Sequence, residues 1–150
     1  MTRVLIAVCL SLVPFVAAAC ERPGTPNNLS SKLKWDQRDG YNVQVSFKNT
    51  ASEPVNWEYN LRSFKIDPVR KTYKATETGG RGGSRPGHTA GWGHTMDFRV
   101  AQNEVICVKI RARAIDNDCV SAQWSAPVCD WGTLGKSGLR RLGVRIPGII

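Results

Sequence analysis

Only two histidines, His88 and His94, occur in this chain, so acid–base and metal chemistry have little to draw on. No Cys-x-x-Cys pair and no Gly-x-Ser-x-Gly motif is present, which removes the usual zinc spacing and the hydrolase nucleophile elbow. Beyond the N-terminus there is no long apolar run, and 14 Gly with 8 Pro exclude a coiled coil or a membrane bundle. Acids are scarce as well. The 12 Asp and Glu are set against 21 Lys and Arg, giving a net charge of +9 that favours anionic partners and says nothing of fold. A length of 150 residues suits one domain with appendages.

Met1-Thr2-Arg3 leads into an apolar stretch from Val4 to Ala19 that closes on Ala17-Ala18-Ala19, the pattern of a secretory signal. Pro14 and the lack of a polar face argue against a buried first helix. Residues 1–19 are therefore read as a signal peptide and 20–31 as an N-terminal linker. Val16-Ala17-Ala18-Ala19-Cys20 resembles a bacterial lipoprotein signal, with Ala17 where Leu is usual. Ordinary cleavage is the first expectation, and lipidation of Cys20 with membrane association is the alternative.

Cys9 leaves with the signal, so Cys20, Cys107, Cys119 and Cys129 remain, and an exported protein would oxidise them. Val105–Ala114 and Ala122–Val128 read as strands joined through Asp116-Asn117-Asp118. In a hairpin centred on Asp118, Cys107 falls opposite Cys129, and a disulfide between them is predicted. Cys20 and Cys119 either pair with each other or remain apart.

Alternation with period two marks Leu33 and Trp35, then Tyr41 to Phe47, then Trp57 to Leu61, and later Met96 to Val100 and Ile106 to Ala112. About seven such strands predict an all-β, two-sheet antiparallel sandwich over residues 32–131. Phe64 and Ile66 continue the third strand in the opposite phase, which suggests a bulge near Arg62-Ser63. Gly and Pro crowd the stretch from Asp67 to Gly93, so a long, flexible, basic, Gly-rich loop insertion is expected there. Residues 132–150, with Gly, Pro147 and four cations, read as a basic flexible tail able to lie on an anionic surface. The charge then belongs to the loop and the tail, and the sandwich between them is neutral.

Phe98-Arg99-Val100, the run Val105 to Ala114, and Gln123-Trp124-Ser125-Ala126-Pro127-Val128 resemble a fibronectin type III domain, an Ig-like β-sandwich, with a weaker likeness reaching back to Pro23. Ile106 stands where that family usually has a Tyr, and the Gly-rich insertion is foreign to it. Trp124-Ser125 also resembles the Trp-Ser repeat of cytokine receptors, with Arg111 and Arg113 able to stack on tryptophan, although the second Trp-Ser is missing. Val45 to Val55 is similar to the strand-turn-strand of other bacterial sandwiches, including carbohydrate-binding modules.

The resemblance implies a non-enzymatic binding or adhesion module with no cofactor, exported to the cell envelope or outside it, taking a protein or glycan ligand. Trp92, set among glycines, is the leading ligand-binding candidate, and Arg81 and Arg85 could track an anionic polymer. Trp57, Tyr59 and Trp131 are the other aromatics weighed for a sugar platform, with Trp57 expected in the core. A carbohydrate-binding module is the first rival reading. The second is a metal-dependent enzyme using His88 and His94 with Asp97. Glu53, Glu58 and Asp97 show no converging spacing for glycosidic work.

Overall fold

A computed structural model describes residues 20–38, 40–82, 93–116 and 118–149. The expected signal peptide lies outside them. Among the described residues, seven strands form two antiparallel sheets: β1 (Asn27–Asp36), β2 (Gly40–Lys48) and β5 (Gly93–Val100) make one, in the order β1-β2-β5. The other has the order β4-β3-β6-β7, from β3 (Val55–Asp67), β4 (Thr72–Gly82), β6 (Glu104–Ala114) and β7 (Val128–Asp130). The all-β sandwich expected from the alternation is the fold observed.

The main core fills the space between the sheets. Val43, Val45 and Phe47 of β2 with Phe98 and Val100 of β5 face Val55 and Trp57 of β3 and Ile106, Val108, Ile110 and Ala112 of β6. Period-two alternation puts these residues on one face of each strand, and burying them is the main drive for the two sheets to stack. A second core lies on the outer side of the four-stranded sheet. Phe64, Ile66, Val105 and Cys107 pack there against Leu139, Val144 and Ile146.

That second core corrects two expectations. The phase change at Phe64 is not a bulge, because β3 runs in unbroken register against β6 from Val55↔Ala114 to Lys65↔Glu104. Instead, Phe64 and Ile66 turn outward because something covers that face. The cover is the segment read as a flexible tail, which folds as a 3-10 turn (Gly132–Leu134) and a helix, α1 (Gly135–Leu142), followed by Val144 and Ile146. Leu139 and Ile146 are 0% exposed. Gly132 is required at the entry, where its φ of +55° and the carbonyl oxygen of Glu104, against its backbone, leave no room for a side chain.

The Gly-rich insertion is also shorter than expected. β4 stays paired with β3 to its end, with Asn60↔Gly79, Tyr59↔Gly80 and Trp57↔Gly82 in register. Gly80 lies under the Tyr59 ring, where any Cβ would collide with the phenol. A glycine inside a strand here marks close approach, not a loop. Removing Gly79–Gly87 would therefore cut into the sheet.

The N-terminal segment is bound to the sandwich rather than acting as a linker. β1 begins at Asn27, and the Ser121 hydroxyl donates to the Gly24 carbonyl at 3.1 Å while Thr50 Oγ1 donates to that of Thr25 at 2.7 Å.

Candidate functional site

The register of β3 against β6 decides what stands on the outer face of the four-stranded sheet. Glu58 pairs with Arg111 across the ladder and with Arg81 of β4 on its other side. Glu58 is buried at 8% exposure. Its two oxygens accept hydrogen bonds from Arg111 Nε and Arg113 Nε, each at 2.7 Å, and Arg113 Nη2 makes a further short contact. Arg81 Nε stands 3.6 Å away. Burial pushes the Glu58 carboxyl up, but the hydrogen bonds and charges of Arg111 and Arg113 outweigh it and hold the group below its ordinary range. The hydrogen bond to Glu58 in turn holds the Arg113 guanidinium above its ordinary value.

Arg111 also lies over the Trp124 ring, 4.5 Å from its centroid, as the sequence suggested for a Trp-Ser segment. The chain around Trp124 is not the strand expected over Ala122–Val128, since only Val128–Asp130 joins the ladder as β7. Serine hydroxyls substitute for it. Ser125 Oγ accepts from the Ile110 N–H and Ser121 Oγ from the Ala112 N–H, both at 3.0 Å, so β6 keeps its donors satisfied beside a Pro-containing segment.

Two disulfides close the molecule. Cys107 and Cys129 are direct register partners joined as predicted, with Cα atoms 4.1 Å apart. Cys20 is joined to Cys119, with Cα atoms 6.0 Å apart. A bonded Cys20 sulfur has no thiol left to carry a lipid, so the lipidation alternative does not fit this structure.

The metal constellation does not assemble. His94 lies on the inner side of β5, stacked on Phe47 and tilted against Trp57 with centroids 5.6 and 4.9 Å away. Asp97, three residues on, projects from the opposite face and accepts from Gln44 Nε2 at 3.2 Å. His88 lies outside the described residues, and among those described no three His, Cys, Asp or Glu side chains gather as a metal site.

Trp92 and Arg85 also lie outside the described residues, whereas Arg81 is a β4 residue in the Glu58 cluster rather than a loop arginine. Trp57 is core, as expected, and Tyr59 packs edge-on against Phe98 at 5.1 Å. Trp131 belongs to the second core with Lys136 over its ring at 5.5 Å. The aromatic that sequence reasoning passed over is Trp35. It is 64% exposed and pairs with Tyr41, with ring centroids 4.7 Å apart, at the end of the β1–β2 hairpin where the inner face runs out of cover.

Four cations without acidic partners among the described residues stand on the C-terminal cap. Lys136, Arg140, Arg141 and Arg145 are all exposed, while Leu139, Val144 and Ile146 of the same segment are turned inward. Gly132 to Ile150 contains no acid, and none of the four has an ion-pair partner among the described residues. Arg140 and Arg141 stand in the last turn of α1, where cations favour the negative end of the helix. The charge of residues 132–149 is therefore carried by a folded face of the sandwich, not by a flexible tail. Comparison with protein-family models, with curated proteins and with solved structures finds no match for this chain.

Proposed function

We propose that this chain is an exported, non-enzymatic binding module built on a fibronectin type III-like sandwich, with an anionic ligand met by its basic cap. The strand order supports the family reading. In the lettering of Ig-like sandwiches, β1, β2 and β5 correspond to A, B and E on one sheet, and β3, β6 and β7 to C, F and G on the other, with β4 added beside C. Export is supported by the pairing of Cys20, Cys107, Cys119 and Cys129 into two bonds, which an oxidising compartment sustains. The observation that carries the binding reading is the set of four exposed cations held on a packed cap with no ion-pair partner among the described residues, because such charge raises the local concentration of anions.

One observation favours a second reading, a neutral glycan stacked on Trp35, whose exposed indole stands beside Tyr41. An array of immobilised acidic glycans, neutral glycans, anionic lipids and cell-surface proteins, probed with labelled mature protein, tests both. Saturable binding to at least one class is expected, and binding to none overturns the module reading. Binding confined to neutral glycans and abolished by Trp35→Ala would favour the second.

A further inference from the structure

We infer that the C-terminal cap and the neighbouring strand face form the docking site for an acidic polysaccharide, a chain of sugars carrying sulfate or carboxylate groups. The inference deepens the binding reading above and rests on it. Two hollows border the segment from α1 to Ile149. One, of about 400 Å³, is lined by Arg140, Gly143, Val144 and Arg145. The other, of about 220 Å³, is lined by Arg62 and Lys109 together with Cys107, Cys129, Pro127, Gly148 and Ile149. Each thus has two cations at its edge, an apolar contribution to its lining, and no carboxylate. An acidic sugar has the complementary chemistry, with anionic substituents around a ring whose faces are apolar.

Most of these cations are available for that role, the exception being Arg62, which stands 3.9 Å from the Glu77 carboxylate. Lys109, Arg140 and Arg145 have no acidic partner among the described residues, and Lys136 rests on the Trp131 indole instead of a carboxylate. Lys136 and Arg140 lie four residues apart on α1, a like-charge spacing that costs helix stability rather than adding to it. A cleft of about 300 Å³ near the Cys20–Cys119 bond has the opposite character, since Glu21, Glu53 and Asp116 line it beside Arg22.

A membrane surface fits less well. An amphipathic segment binds lipid by inserting its apolar face, but here Leu139, Val144 and Ile146 are already buried against Phe64 and Val105. Among the described residues, exposed large apolar side chains occur at Trp35, Val69, Tyr73 and Ile115, none of them on the cap. Single-stranded nucleic acid would want stacking aromatics, and Trp131 is occupied by Lys136.

The test uses the disulfide-bonded mature protein against heparin, polygalacturonate, neutral dextran, phosphatidylglycerol vesicles and a single-stranded DNA. Wild type should bind heparin or polygalacturonate saturably, weaken with added salt, and ignore dextran. Arg140→Ser with Arg145→Ser should lose roughly 30-fold in affinity, at about fivefold per cation against a dense anionic surface, with an unchanged melting temperature. Lys32→Ser with Lys34→Ser, exposed on the other sheet and equal in charge removed, should lose no more than about twofold. Equal losses in both double variants would reduce the effect to net charge and overturn the site. Binding to vesicles or DNA in preference to both acidic glycans would overturn the ligand class while leaving a binding module, and a wild type that binds neither glycan overturns the inference whatever the array shows.

Discussion

Cys107 and Cys129 face each other directly across β6 and β7, and the sulfur bridge between them lies on the side of the sheet that the C-terminal cap covers. β7 has only three residues, so this bond and three register pairs hold the strand that delivers the chain into the cap. Replacing both cysteines by alanine should lower stability by about 3 kcal/mol, the loop-closure value for a separation near 22 residues. Urea unfolding of the double variant measures this, and faster amide exchange should appear first in α1. A loss confined below about 1 kcal/mol would contradict the role given to the bond.

Intact mass spectrometry of the mature protein should give the mass of an unlipidated chain beginning at Cys20, or near it, with two disulfides. Free thiols should appear only after reduction. A lipid adduct on Cys20 would contradict the Cys20–Cys119 bond.

Glu58 is expected to make stability fall on the acid side. Its folded-state pKa lies below the ordinary value, so its contribution is complete above the unfolded carboxylate pKa of about 4.3 and is lost as pH drops through the folded value. Glu58→Gln, which leaves Arg111 and Arg113 without their counter-charge, should cost roughly 2–3 kcal/mol at neutral pH. It should also flatten the fall in melting temperature below pH about 4.3 relative to wild type. Parallel curves for the two proteins would remove Glu58 as the acid-sensitive group.

Leu139→Ala should destabilise by about 2–4 kcal/mol, because a fully buried side chain is lost from a small second core. A tail merely lying in solvent would give almost no change. Thermal unfolding separates the two outcomes.

Ser125→Ala deletes the acceptor of the buried Ile110 N–H and should cost about 1–3 kcal/mol, with Ser125→Thr restoring part of it. The same readout applies.

Some of this architecture was legible in the sequence for plain reasons. A strand pair read from alternation fixes which residues oppose each other, so the Cys107–Cys129 bridge followed from counting about Asp118. Phe64 and Ile66 gave a correct signal that pointed to the wrong cause. Their phase change announced a second covered face, but the cover was hidden in a segment whose glycines at 132, 135, 138 and 143 mask its apolar pattern. Gly80 misled in a similar way, since the reason for it is the Tyr59 ring on the adjacent strand. Glu58 could be weighed only as a lone carboxylate until the β3–β6 register placed two guanidinium groups on it. Trp35 reads in the sequence only as a strand residue, because alternation reports which face a residue takes, not where that face ends.

The way the cap completes the second core has a consequence for biosynthesis. Phe64, Ile66 and Val105 emerge from the ribosome well before Leu139 and Ile146, and Cys20 must await Cys119, 99 residues later. A nascent chain therefore cannot bury these groups until Leu139, Val144 and Ile146 have been made. Such long-range closure folds slowly, and it leaves Phe64, Ile66 and Val105 exposed for as long as the cap is missing.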